Sequence, residues 1–338
     1  MKRTLSGLNN VLLFLTDKCN LSCDYCYVRQ GNSVMDVSLA KKVIDNVDDG
    51  TIIDFFGGEP TLFPELIREI VDYASENDRH LIFQLFSNGT LIGDEILALA
   101  RSRRVNIGIS FDGYGMLSRT HSEELAKVVL NNAVMLNREF GNGVKCAITP
   151  DNVGSLLESV QLLASSGVHR ISHFILREDV WSADDIARYR EQLKRLVRWY
   201  DINFDSNILD YLDSFVFGER RAAGCWAGRE GVAVNFNGDL YPCQRFLTDG
   251  SKFVIGNVDT GVTNKSFCKY CLDDMVGCSA CPVRGKCNNC CIASQYEHGS
   301  ILQPIKCVCD LTRVTLEEVT VLSRHRSKIQ KRYESMTR

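Results

Sequence analysis

Thr16-Asp17-Lys18-Cys19-Asn20-Leu21-Ser22-Cys23-Asp24-Tyr25-Cys26 is the stretch on which the reading of this chain turns. Its cysteines are spaced C-x₃-C-x₂-C and follow the apolar run Val11 to Leu15, which reads as a short buried strand. Three thiolates leave a tetrahedral metal with one open position. Thiolates also select soft metals and clusters, so an iron–sulfur cluster with one unligated iron suits the motif. An open iron is a place where a cofactor or substrate can bind and receive an electron. Tyr25 would set an aromatic face beside the third thiol. Spacing alone leaves two alternatives: a zinc knuckle one ligand short, or buried structural thiols.

Around this motif lies a chain of 338 residues, 45% hydrophobic and 24% charged, long enough for two domains and of ordinary globular composition. A net charge of −3 points away from nucleic-acid binding, because domains with that role are usually basic. No apolar run approaches the roughly 18 residues of a membrane span. Lys2 and Arg3 precede a short apolar run, but it lacks the length and the cleavage site of a signal peptide. Fifteen cysteines without a secretion signal argue for metal chemistry in a reducing compartment, and hence for the cytoplasm.

The cysteines are unevenly spread: three near the N-terminus, Cys146 alone, and eleven from Cys225 to Cys309. That shift predicts a boundary near 205–224 and three regions: 1–210, a cysteine-rich 211–315, and a basic helix over 316–338. Within the last region, residues 324–338 set Arg324, Arg326, Lys328, Lys331, Arg332 and Arg338 against a single acid, Glu334. A solvated helix is the expectation there, with a peptide- or RNA-binding tail as the alternative.

Across the first two hundred residues, short apolar runs alternate with amphipathic stretches. Strands are predicted at 11–16, 51–56, 81–87, 105–111, 144–149 and 170–176. Helices are predicted near 38–47, 63–77, 92–101, 122–139, 153–166 and 183–200. Runs rich in β-branched and aromatic residues suit a covered parallel sheet. Repeated βα units then imply an α/β fold, a partial (β/α)₆ TIM-like barrel, since six units are too few for eight strands. Chemistry in such folds gathers at the C-terminal ends of strands. The cysteine triplet sits at one such end. Gly57-Gly58-Glu59-Pro60-Thr61 follows the second strand, with glycines that permit close backbone approach and a carboxylate able to accept from an amine. Ser87-Asn88-Gly89 follows the third, with short polar groups suited to ribose hydroxyls. Read singly, the last two are as consistent with plain turns.

In order and position these segments resemble the radical S-adenosylmethionine (SAM) superfamily, over roughly residues 9–200. The resemblance implies that Cys19, Cys23 and Cys26 hold a [4Fe–4S] cluster whose open iron is chelated by the amine and carboxylate of SAM. Reductive cleavage of SAM would then give a 5′-deoxyadenosyl radical. It places the Tyr25 backbone near adenine, Gly57, Gly58 and Glu59 at the methionine amine, and Ser87 and Asn88 near the ribose. Ser110-Phe111-Asp112-Gly113 resembles a segment common in these enzymes, and Arg119 would pair with the SAM carboxylate.

The C-terminal cysteines resemble the SPASM domain, an extension of many radical SAM enzymes that carries two auxiliary [4Fe–4S] clusters. The likeness lies in Cys225, Gly238 and Cys243, in Cys278, Cys281, Cys287 and Cys291 spaced C-x₂-C-x₅-C-x₃-C, and in a last pair, Cys307 and Cys309. Phe253 to Val258 adds to it. Zinc ribbons are the alternative. The resemblance implies that Cys225, Cys243 and Cys291 serve one cluster, and that Cys278, Cys281, Cys287 and one of the last pair serve the other. Cys309 is favoured because Asp310 could cap the closing helix. With three protein ligands the first auxiliary cluster would keep an open iron, unless Cys268 or Cys271 supplies the fourth. Cys290 has no assignment. The cofactors so implied are three [4Fe–4S] clusters, one SAM-binding and two auxiliary, and SAM.

The resemblance narrows the chemistry to peptide or protein modification. In sulfatase maturases an aspartate directly after the second SPASM cysteine takes a substrate proton; here that position is Gln244, which cannot act as a base. The expected function is therefore a ribosomal-peptide maturase forming a thioether or carbon–carbon crosslink. Its partners would be a peptide or protein substrate, a separate leader-recognition protein, and flavodoxin or ferredoxin as reductant. The runner-up is a small-molecule dehydrogenase or carbohydrate-modifying enzyme. A metal-binding protein without catalysis is the third reading. Cys146 reads as an inert core thiol, and His173, placed at the barrel mouth, as a structural hydrogen-bonder rather than a catalyst; Arg177 and Glu178 end the same strand, where they could touch substrate.

Overall fold

The computed structural model describes residues 3–102, 104–177, 180–217, 227–265, 275–287 and 291–336. Strand β1 (Asn10–Thr16) leads to helix α1 (Val37–Asn46), β2 (Ile52–Gly57) to α2 (Pro64–Glu76), and β3 (Ile82–Ser87) to α3 (Asp94–Arg101). Next, β4 (Val105–Ser110) leads to α4 (Leu117–Thr120) and α5 (Glu123–Phe140), β5 (Val144–Ile148) to α6 (Leu156–Ser165), and β6 (Arg170–Ile175) to α7 (Ala183–Ile202). Six βα units therefore stand where the apolar periodicity puts them. Val11, Leu13 and Leu15 on β1 are fully buried, a gain of roughly 1.5–3 kcal/mol for each side chain. Helix starts follow local chemistry: the Asp36 side chain accepts from Ser38 N, Ser122 accepts from Leu125 N, and Ser182 with Asp185 forms a capping box.

Beyond α7 the sequence reading missed several short elements. These are β7 (Ile208–Leu209), α8 (Asp210–Phe217), β8 (Gly231–Val234), β9 (Asp239–Tyr241), β10 (Gly256–Asn257), β11 (Gly261–Val262) and α9 (Cys291–His298); α10 (Lys306–Glu318) and α11 (Arg326–Met336) follow, where a closing helix and a basic last helix are expected. Two-residue strands carry too little periodicity to read.

The chain forms two compact units, each made of separated segments. Met1–Ser110, Leu117–Asn142 and Trp226–Tyr270 form the first; Phe111–Met116, Gly143–Cys225 and Cys271–Arg338 form the second. In the first unit β1 to β4 pair in parallel, with Leu13 opposite Phe55 and Phe55 opposite Leu85. On its other side β1 pairs in parallel with β8, Asn10 opposite Gly231. This pairing stitches residues beyond 226 into the first sheet, so compactness does not follow the consecutive regions 1–210, 211–315 and 316–338. The first expected boundary meets the start of α8, and the second falls inside α10.

In the second unit β5 and β6 pair in parallel, Cys146 opposite His173. The basic C-terminal stretch keeps Arg324, Arg326, Lys328 and Lys331 exposed, as a solvated helix does, and adds surface contacts: Arg324 Nε donates to Asp201 at 2.7 Å, Lys328 Nζ to Asp205 at 2.7 Å, and Arg332 lies over Phe204 at 4.1 Å. His173, expected at the barrel mouth, is fully buried with its ring 4.6 Å from that of Tyr211 on α8. Among the described residues neither of its ring nitrogens has a hydrogen-bond partner, and burial holds its pKa down at about 3.

A pH prediction follows from that buried ring. A histidine with a depressed folded pKa lends stability above its ordinary value of 6.5 and loses it as pH falls through the window down to about 3. His173→Leu is expected to remove a slope of up to about 1.4 kcal/mol per pH unit in that window. Urea melts of both proteins at pH 7.5 and pH 5 check this; an unchanged gap between them at both pH values would sink it.

Candidate active site

The loop after β1 is built to hold a fixed shape. Lys18 N donates to Thr16 Oγ1 at 3.0 Å, and Thr16 Oγ1 donates to Ser33 O at 2.8 Å. Gly58 N donates to Thr16 O at 2.7 Å, and Glu59 N to Lys18 O at 2.8 Å. The turn after β2 is thereby zipped to the chain entering Cys19. This is the structural work of the two glycines. A Cβ on Gly57 would lie 2.2 Å from Thr16 O, and one on Gly58 would lie 2.3 Å from Lys18 O. The close approach anticipated at the glycines is made by the cysteine loop's own backbone. Gly58→Ala is expected to cost about 3 kcal/mol, because backbone must move. A denaturant midpoint equal to wild type would refute the steric reading.

Glu59 is the hub of the site and has no exposed surface. Its Oε1 accepts from Thr61 N at 3.0 Å, Thr61 Oγ1 at 2.6 Å and Ser87 Oγ at 2.9 Å. Its Oε2 accepts from Asn88 N at 2.6 Å. Burial pushes the carboxyl pKa up, and the donors from Thr61, Asn88 and Ser87 oppose the rise. Asn88 Nδ2 in turn donates to Asn20 Oδ1 at 2.9 Å and reaches Cys19 Sγ at 3.8 Å. Gly57 to Glu59, Ser87 and Asn88 thus converge with the cysteine loop, and their polar atoms knit to one another.

Within the loop, Cys19 and Cys23 are half-buried and Cys26 is exposed. Burial raises the Cys19 thiol pKa most; Leu21 N, donating to the sulfur at 3.4 Å, opposes it, while Glu59 and Cys26 raise it further. A second brace was not legible in the sequence. Asp24 N donates to Ser118 O at 2.8 Å, and His121 Nε2 lies 2.9 Å from Ser22 O. His121 holds a left-handed backbone, φ 50°, to do so. Arg119 Nη1 donates to the Tyr25 hydroxyl at 2.5 Å, with the guanidinium 5.8 Å from that ring.

Ser110 ends β4 in this same unit, whereas Asp112 belongs to the second unit. There it is buried, and its Oδ1 accepts from Ala147 N at 2.8 Å.

Of the C-terminal cysteines, Cys225, Cys268, Cys271 and Cys290 lie outside the described residues. Cys243 is buried in the first unit and Cys291 in the second. Burial raises the Cys309 thiol to about 11, aided by the charges of Cys287, Cys278 and Cys281. The thiol of Cys278, raised by burial, also feels Cys287 and Cys281. Cys307 instead takes its hydrogen bond from the Trp181 backbone. Asp310 caps nothing: α10 starts at Lys306, and Asp310 pairs from within it to Lys306 Nζ at 2.6 Å.

Among the described residues no three His, Cys, Asp or Glu side chains form a single-ion site. A cluster asks for less convergence, since each cysteine serves a different iron. The donor set suits one: three thiols share a braced loop, and the Cys19 sulfur already accepts an N–H, as cluster thiolates do.

Residues 13–176 match the Radical SAM superfamily, and this segment is a radical SAM domain. An uncharacterised protein of Methanocaldococcus jannaschii is 29% identical over 210 residues, covering 58% of this chain and 73% of that protein. A cysteine-type anaerobic sulfatase-maturating enzyme of Clostridium novyi is a more distant relative, 22% identical over 78% of this chain and 80% of its own length. The fold resembles that of native anSMEcpe with bound AdoMet and Cp18Cys peptide, at TM-score 0.74 and 18% identity over 95% of this chain and 99% of that one. It also resembles Streptococcus suis SuiB bound to precursor peptide SuiA, at TM-score 0.64 and 16% identity over 90% and 76%. The α/β fold is thus that of radical SAM proteins, with a cysteine-rich C-terminal region. No helix of the described residues is long and apolar enough to cross a membrane.

Proposed function

We propose that this chain is a radical SAM peptide maturase. The observation that carries the reading is the hydrogen-bonded run from Glu59 through Asn88 to Cys19, which fixes the three-cysteine loop at the C-terminal ends of β1, β2 and β3. Cys19, Cys23 and Cys26 would hold the [4Fe–4S] cluster, with the edge of the loop open to SAM at the exposed Cys26. When bound, this pair supplies a radical that abstracts hydrogen from an unactivated carbon. Glu59 and Asn88 keep the loop in register, and Arg119 sets the Tyr25 ring. Cys278, Cys281, Cys287 and Cys309 would hold one auxiliary cluster, and Cys225, Cys243 and Cys291 the other. These would accept the second electron of an oxidative crosslink.

A peptide substrate is supported by the peptide-bound neighbours, and Gln244 argues against sulfatase maturation because an amide cannot take a proton at that position. Flavodoxin or ferredoxin would deliver the electron in a cytoplasmic setting. Two measurements test the reading. Anaerobically reconstituted protein, given dithionite and SAM, is expected to release 5′-deoxyadenosine. A library of cysteine-containing peptides is then expected to yield members lighter by two hydrogen atoms. Bound zinc and no nucleoside would sink the enzyme class; nucleoside without any altered peptide would sink the substrate class.

A further inference from the structure

Cys26 is flanked in sequence by Tyr25 and Tyr27, and each ring carries an arginine. The Arg119 guanidinium lies 5.8 Å from the Tyr25 ring and bonds its hydroxyl. The Arg245 guanidinium lies 3.8 Å from the Tyr27 ring, a close cation–π stack. The two arginines come from remote parts of the chain. Arg119 is on α4; Arg245 comes two residues after Cys243, at the head of a 3₁₀ helix over Gln244–Phe253. All of these residues belong to the first compact unit.

We infer that Arg119 and Arg245 form a cationic bracket around Cys26, and that Arg245 raises the reduction potential of the cluster held by the Cys19–Cys23–Cys26 loop. This rests on the reading of that loop as a cluster site. The physics is charge balance. Reduction adds one electron, supplied by a low-potential one-electron donor, and no proton or bond need change. A fixed cation beside the site favours the more negative state, and net local charge is one of the determinants of such potentials. Opposing charges among the described residues include Asp24, at the loop surface, Asp17, whose Oδ1 accepts from Ser33 N, and Glu59, which is buried behind Cys19. Arginine suits the position because it stays charged and its planar face stacks on the ring. Its attachment to the Cys243 segment also ties that segment to the residue adjoining Cys26, so the two cysteine-bearing stretches share one rigid contact.

The test separates charge from packing. Arg245→Met keeps the apolar bulk without charge, and Arg245→Lys keeps the charge without the planar stack. Full-length reconstituted proteins are titrated with dithionite, following by EPR the signal that changes when SAM is added. The expected result is a shift to more negative midpoint in Arg245→Met and retention of the wild-type midpoint in Arg245→Lys, with the gap narrowing at high salt. Equal midpoints in all three proteins overturn the inference, as does a shift in Arg245→Lys alone, which would mark a packing role. If Arg245→Met loses iron, Arg245→Gln carries the same comparison. Wild-type protein that binds no iron, or shows no SAM-sensitive signal, overturns the underlying cluster reading, and iron counting tells that outcome from the others.

Discussion

Glu59→Leu is expected to lower the unfolding free energy by about 2 kcal/mol or more and to release the cysteine loop from its register. The size follows from what is left behind. Leucine is bulkier than glutamate and carries no acceptor, so Thr61 N, Thr61 Oγ1, Ser87 Oγ and Asn88 N, which all donate to Glu59, would lose their partner. Each buried donor without a partner costs about 1–3 kcal/mol, less whatever the two hydroxyls recover by rotating to other acceptors. The backbone donors of Thr61 and Asn88 have no such freedom, and they set the lower bound. Glu59→Gln is expected to fall between: Oε1 can still accept from Thr61 and Ser87, but an NH₂ group cannot accept from Asn88 N across 2.6 Å. Denaturant melts give the stability, and hydrogen exchange over residues 18–27 reports the loop. Wild-type melting in Glu59→Leu would mean that the hub is not structural. Lost stability with unchanged loop exchange would mean that Glu59 does not govern the cysteines.

The same hub shows which parts of the site were legible in sequence. Local pattern places Gly57-Gly58-Glu59 and Ser87-Asn88 at the same strand ends as the cysteine triplet, and the resemblance to radical SAM proteins joins them in one site with Cys19, Cys23 and Cys26. What those residues touch was not legible. The glycines face the backbone of Thr16 and Lys18, and Glu59 faces Thr61, Ser87 and Asn88. Register across neighbouring strands decides this, and no single segment encodes it. The brace from Ser118 and His121, and the Arg245–Tyr27 stack, were out of reach for a second reason: their partners are about a hundred or more residues apart, and neither His121 nor Arg245 stands in a motif. The six βα units could be read from periodicity, while β8 could not, because four apolar residues are too few to show a period. Among the C-terminal thiols, spacing left Cys307 and Cys309 nearly equal. Position on α10 separates them, because neighbouring residues but one on a helix point some 200° apart.

Replacing Cys19, Cys23 or Cys26 by alanine is expected to remove about four irons per chain relative to wild type and to bring 5′-deoxyadenosine formation to background. Serine is expected to do no better, because a hydroxyl stays protonated and is a hard ligand where iron–sulfur clusters need a soft thiolate. Stability should hardly move for Cys26, which is exposed, and should fall modestly for half-buried Cys19, whose sulfur accepts from Leu21 N. Cys146 supplies the contrast. It is fully buried on β5 opposite His173, so Cys146→Ala should leave iron and nucleoside unchanged while costing about 1 kcal/mol of packing. The pattern matters more than any one variant. Thiols that hold a cluster are costly in iron and cheap in stability; a core thiol shows the reverse. If Cys26→Ala kept full iron and wild-type nucleoside yield, the loop would not be the SAM site. The proposal would then have to move to the cysteines beyond Cys225, where no turn zipped to a neighbouring strand by a buried carboxylate has been found among the described residues.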